Sequence, residues 1–204
     1  MKLLVGILCV AMTALMVSSL AGTGEKPESL EARINLGEVH AFMEAADSGR
    51  KDLIPAIERH AGDEPWARAA LAKLGVKKYL DEILLEATGS TNHLVHGENE
   101  KYPVSTPSKH DRLLVQMDAF KKLAYIKNRS TVKTLAAFLY VVENPDDYHE
   151  SEVFFTPPSE EAMEILPTIV DNPPIINLPA ISETHDARVK LWQQWWEKNK
   201  DKYP

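Results

Sequence analysis

The chain has 204 residues, a length that suits one ordinary domain with a sizeable core. Four Trp, six Tyr and five Phe argue against wholesale disorder. With 30 acidic against 23 basic residues the net charge is −7, and no Lys/Arg cluster of the kind phosphate contacts need is present, which argues against nucleic acid as a partner.

Met1-Lys2 is a short positive start, and Leu3 to Val17 is an apolar run weakened only at Gly6 and Thr13. Ser19 and Ala21 then place small residues where a signal peptidase reads them. This arrangement predicts a secretory signal peptide over residues 1–21, cleaved after Ala21. The alternative is an uncleaved anchor, for which the run is barely long enough. Cys9 follows Leu8 rather than a small residue and sits inside the run, so it leaves with the signal. The mature chain is then cysteine-free. That suits a bacterial periplasm or exterior better than eukaryotic secretion, where small domains lean on disulfides. Lys2 is the one charged residue among the first 21, so its removal takes the net charge to −8.

Residues 22–33, polar and containing Pro27, predict a flexible N-terminal segment. The remainder, 34–204, reads as a single helical domain. From Ile34, the apolar residues Leu36, Val39, Phe42 and Met43 recur at helical spacing and stop at Ser48-Gly49. Leu53, Ile54, Ile57 and Ala61 carry on to Gly62. Asp63 is the expected N-cap of the next helix, with Pro65 near its first position; Trp66, Ala69, Ala70, Leu71 and Leu74 form its face, and Gly75 ends it. Tyr79, Leu80, Ile83, Leu84 and Ala87 form another, ended by Gly89. Residues 90–109 break the rhythm with Gly97, Pro103 and Pro107 and predict a long loop.

Helical period resumes at about Asp111 with Leu114, Met117, Phe120, Leu123 and Ala124. Val132, Leu135, Leu139 and Val142 form the clearest stripe. A second loop, 143–158, is rich in acid and proline. Ser159-Glu160-Glu161-Ala162 opens a helix whose face is Met163, Leu166, Ile169 and Val170. Pro173, Pro174 and Pro179 prevent a long helix in the next stretch, and a last helix spans about Asp186 to Asn199. No run alternates like a strand. The fold class is therefore all-α, with about eight helices.

Two helices echo each other: Ala67-Arg68-Ala69-Ala70-Leu71 and Ala187-Arg188-Val189-Lys190-Leu191. Leu74 to Leu80 passes straight from one helix to the next, as does Leu123 to Leu135 around Asn128. Paired helices with tight turns and an Ala-Arg-x-x-Leu second helix resemble HEAT and armadillo-like repeats. The segment Asp52 to Gly75 is the best single match, and the resemblance extends over residues 36–200. The spacing of the echoes is irregular, and 90–109 and 143–158 are insertions. The resemblance implies an irregular α-solenoid of antiparallel helix pairs. The alternative architecture is an irregular helical bundle.

Chemistry-bearing motifs are few. His93 and His96, with His110 further on, are the one histidine cluster, and imidazoles converging on one point are what a transition metal wants. The spacing is not the His-Glu-x-x-His of a metalloprotease helix. Asp146, Asp147, Glu150 and Glu152 lack the EF-hand order and read as a solvated loop. No nucleophile elbow, P-loop or dinucleotide fingerprint occurs, and no cofactor is expected. Asn128-Arg129-Ser130 reads as a helix cap as well as a glycosylation sequon. Trp192, Trp195 and Trp196, with Val189 and Leu191, cover an arc of roughly 160° of the last helix. Trp is enriched at binding hot spots, so the three are candidates for binding a protein. As a terminal cap, the same helix would bury Trp192 and Trp195 and leave Trp196 at the border.

The resemblance implies an exported, non-enzymatic scaffold that presents a helical surface to another protein, with no membrane span once the signal is removed. The alternative is a metal-binding protein or metal-dependent enzyme using His93, His96 and His110.

Overall fold

The computed structural model describes residues 29–89, 108–141, 156–174 and 184–203, and among them the fold is all-α, without a strand. The helices are α1 (Leu30–Asn35), α2 (Val39–Asp47), α3 (Ile54–Glu58), α4 (Pro65–Lys73), α5 (Lys77–Ala87), α6 (Lys109–Ile126), α7 (Val132–Phe138), α8 (Pro158–Ile165) and α9 (His185–Asn199). Short 3₁₀ turns at 51–53, 129–131, 166–168 and 200–202 lengthen α3, α7, α8 and α9. The expected signal peptide over residues 1–21, Val142, and most of the two stretches expected to be loops, 90–109 and 143–158, lie outside the described residues.

Helix ends follow local chemistry. Helix appears earlier than the periodicity suggests, within the stretch 22–33 expected to be flexible: Ser29 Oγ accepts from the Ala32 amide, and α1 buries Ile34. The stripe from Ile34 to Met43 is not one helix. Gly37 adopts φ 79°, and the Glu38 amide bonds back to the Arg33 carbonyl at 3.2 Å, closing α1 in a Schellman turn. Leu36, expected on the apolar face, is consequently 69% exposed. The cap of α4 is Glu64 rather than Asp63. A residue before proline is driven to extended backbone, so with Pro65 as the first helical residue the cap falls on Glu64, whose Oε1 accepts from the Trp66 amide at 3.1 Å. The capping box of Ser108 and Asp111 starts α6 at Lys109, two residues before the expected Asp111.

The helices pack in a staggered ladder. α2 lies against α4, α4 against α6, and α6 against α8, while α1 lies against α3. Chain neighbours α1/α2, α3/α4, α4/α5, α5/α6, α7/α8 and α8/α9 also touch. α4 is enclosed by α2, α3, α5 and α6, which explains its composition: Ala67, Ala69, Ala70 and Ala72 are buried all round it, since small side chains let four helices approach. One continuous core results, from Ile34 and Phe42 through Leu71, Ile83 and Phe120 to Leu135, Leu166 and Trp192. Full burial of each such side chain contributes about 1.5–3 kcal/mol. Phe120 meets Phe138 edge to face at 5.1 Å.

Candidate functional site

At one end of the ladder the N-terminal ends of α8 and α9 meet. Pro158 opens α8, which makes Ser159 and Glu160 its second and third residues. Thr184 caps α9, with its Oγ1 accepting from the Ala187 amide at 3.4 Å. His185 and Arg188, three residues apart, then share one face of α9. Docking α9 on α8 brings the four side chains together.

Ser159 Oγ is 3.0 Å from His185 Nε2, and His185 Nδ1 is 2.8 Å from Glu160 Oε2. The Arg188 guanidinium grips both carboxylate oxygens, at 2.7 Å from Oε1 and 2.9 Å from Oε2. A carboxylate can only accept hydrogen bonds, so His185 Nδ1 carries the hydrogen. In the neutral ring Nε2 then holds a lone pair, which can accept from the Ser159 hydroxyl. Burial works to raise the Glu160 carboxyl, but the hydrogen bonds from His185 and Arg188 outweigh it and hold the group below the usual carboxylate range. Ser159 is 2% exposed, whereas the His185 side chain is 34% exposed. A hydroxyl, an imidazole and a carboxylate in this order form the hydrogen-bond relay that activates serine nucleophiles.

The sequence reading passed over this cluster. Ser159 and Glu160 read as a helix start, and His185 lies 26 residues from Ser159. The available signal was a Ser-Glu pair opening one helix and a His-x-x-Arg opening another.

Of the candidate metal ligands, His93 and His96 lie outside the described residues. His110 is exposed on the first turn of α6. Among the described residues no three His, Cys, Asp or Glu side chains are grouped to hold a metal ion.

The candidate tryptophans face inward to different depths. Trp192 is fully buried, Trp195 is 9% exposed and Trp196 is partly buried. Trp192 and Trp195 stack edge to face at 5.4 Å. Trp195 Nε1 donates to the Asn172 carbonyl at 2.8 Å, and the Asp171 amide donates to the Tyr203 hydroxyl at 3.1 Å. Tyr203 packs on both Trp195 and Trp196, with the Arg129 guanidinium 4.8 Å from its centroid. On the far side, Gln193 reaches the Leu139 carbonyl, and Tyr140 donates to Glu197 at 2.9 Å. Burial, with the Glu197 carboxylate beside it, pushes the Tyr140 hydroxyl up to about 12.

These features define an all-α protein with a helical ladder and a polar relay at one end. Compared with known proteins, the chain matches no family, no curated sequence and no solved structure.

Proposed function

We propose that the chain is an exported scaffold of the HEAT-like kind, an irregular α-solenoid that presents a helical surface to another protein. The observation that carries this reading is the ladder in which α2, α4 and α6 each pack on the helix two places along, the stacking expected when each helix pair buries its face against the next. The two Ala-Arg-x-x-Leu helices share one device, an Arg in an ion pair, Arg68 with Glu86 on α4 and Arg188 with Glu160 on α9, although only α4 buries its Ala and Leu and Ala187 is exposed. Large apolar side chains left outside the core, Leu85 at 51% and Leu114 at 38% exposure, give such a surface its contact points. Gln116 bonds the Ala87 carbonyl at 2.7 Å, so the two leucines lie toward the same end of the α5/α6 pair. Among the described residues no helix is long and apolar enough to cross a membrane. Export rests on residues 1–21, so the mature chain would begin at Gly22.

Photo-crosslinkers placed at Leu85 and Leu114, in the mature protein added to the source organism's envelope fraction, test the proposal. A discrete protein adduct that disappears in the Leu85→Glu, Leu114→Glu double variant is expected. Absence of any adduct, together with one equivalent of transition metal in the protein as purified, would overturn the scaffold in favour of a metal site at His93, His96 and His110.

A further inference from the structure

We propose that Ser159 is an activated nucleophile that accepts an acyl group from a small ester, with His185 as its general base. The proposal stands on geometry and is independent of the scaffold reading. A serine hydroxyl is a weak nucleophile unless a base removes its proton as it attacks. Here the base is in hydrogen-bond reach, at 3.0 Å, and presents the lone pair rather than the hydrogen. That tautomer is imposed by Glu160 Oε2 on the opposite ring nitrogen, at 2.8 Å. Glu160 is itself fixed by the two-oxygen grip of Arg188, so the carboxylate cannot turn away. Glu160 and Arg188 are positioning residues; Ser159 and His185 meet the reacting atoms.

Burial sets the substrate class. Ser159 is nearly enclosed while the imidazole is one-third exposed, so access to Oγ is narrow and lies past the histidine ring, which restricts the acyl donor to a small one. Ser159 lies in the first turn of α8, where the positive end of the helix favours the negative oxygen that develops during attack.

The steps balance. Ser159 Oγ adds to the ester carbonyl carbon while its proton passes to His185 Nε2. The tetrahedral intermediate collapses, the bond to the leaving oxygen breaks, and that oxygen takes the proton from Nε2. An ester on Ser159 Oγ remains. Water attacks it with His185 again taking a proton, and the acid leaves as Ser159 Oγ is reprotonated.

The test is intact-mass and peptide mapping of the full exported protein after exposure to p-nitrophenyl acetate and, separately, to a fluorophosphonate. One adduct on Ser159 is expected with each reagent. Ser159→Ala should abolish it, and His185→Gln should slow it by about 100-fold, the range of general-base catalysis, while the circular-dichroism melt still shows a folded chain. The unsubstituted protein alone is decisive if a variant fails to fold. An unlabelled protein, or label on lysine or tyrosine instead, would overturn the proposal and leave the cluster as a clamp between α8 and α9.

Discussion

Glu160 and Glu161 are neighbours in the first turn of α8, yet their carboxyls move in opposite directions. Glu160 is held low by its partners, as described. Burial, followed by the nearby Glu164 charge, pushes the Glu161 carboxyl up, against the hydrogen bond with Thr156. A carboxyl whose folded value is raised opposes folding while ionised, and that opposition is relieved as pH falls through the folded value. Glu161→Gln should therefore raise the melting temperature at neutral pH, and the gain over the natural protein should shrink in acid, where Glu161 becomes protonated. Glu160→Gln should do the reverse. A depressed carboxyl stabilises above its unfolded value, so this variant should melt lower at neutral pH and converge with the natural protein as the pH falls through the folded Glu160 value. Thermal melts of the two variants across pH check both signs.

At the scale of elements, α4, α5 and α6 are joined by a buried ion network. Lys122 is 1% exposed and Glu86 is 3% exposed. Lys122 Nζ lies 3.2 Å from Glu86 Oε2 and 2.7 Å from Asp118 Oδ2, while Arg68 reaches Glu86 Oε1 at 2.8 Å. One carboxylate thus holds two cations from two different helices. Glu86→Gln removes one of the two carboxylates that compensate the buried ammonium while Asp118 keeps the other, so a loss at or below about 3–5 kcal/mol, the usual cost of breaking a buried pair, is expected, to be read from chemical denaturation. The turn between α4 and α5 carries a separate requirement. Gly75 sits at φ 97°, with the Val76 amide bonded to the Leu71 carbonyl at 3.0 Å. Nothing lies within 4 Å of a Cβ placed there, so Gly75→Ala has room and suffers only backbone strain. A loss of about 1–2 kcal/mol is expected.

The whole molecule needs something to close its core at the α9 end, and the tryptophans do this in graded fashion. Trp192→Ala and Trp195→Ala should each destabilise by about 3–5 kcal/mol, as truncations of core aromatics do. Trp196→Ala should cost clearly less, because that ring keeps part of its surface in water. Trp192 also carries a buried Nε1 without a hydrogen-bond partner among the described residues, a desolvation cost of about 1–3 kcal/mol that the packing of the ring offsets. Denaturation curves of the three single variants rank them. If Trp195→Ala melts like the natural protein, α9 is not a cap. Intact mass of the exported protein checks the other molecule-wide expectation: it should correspond to a chain that starts at Gly22.

Much of the helical outline was legible in the sequence because the signals are local. Ser48-Gly49, Gly75 and Gly89 end helices where the chain itself says so, and the stripe Val132, Leu135 and Leu139 is buried as its spacing requires. Such signals reach only a few residues, so they erred where a neighbour altered the geometry: Pro65 moved a cap to Glu64, and Gly37 cut a stripe and left Leu36 in water. What depends on which faces meet could not be read this way. Lys122 is one of many surface-type charges until α5 covers it with Glu86. Trp192 lies nearest the centre of its apolar arc and is the deepest ring, as the period requires, but the Asn172 carbonyl that receives Trp195 Nε1 comes from the segment after α8, which the period of α9 does not reveal. Ser159 and His185 acquire a relationship only when two helix ends, 26 residues apart, are docked. Periodicity and capping are properties of a segment, whereas burial and charge pairing are properties of a contact between segments, and the tertiary structure alone chooses those contacts.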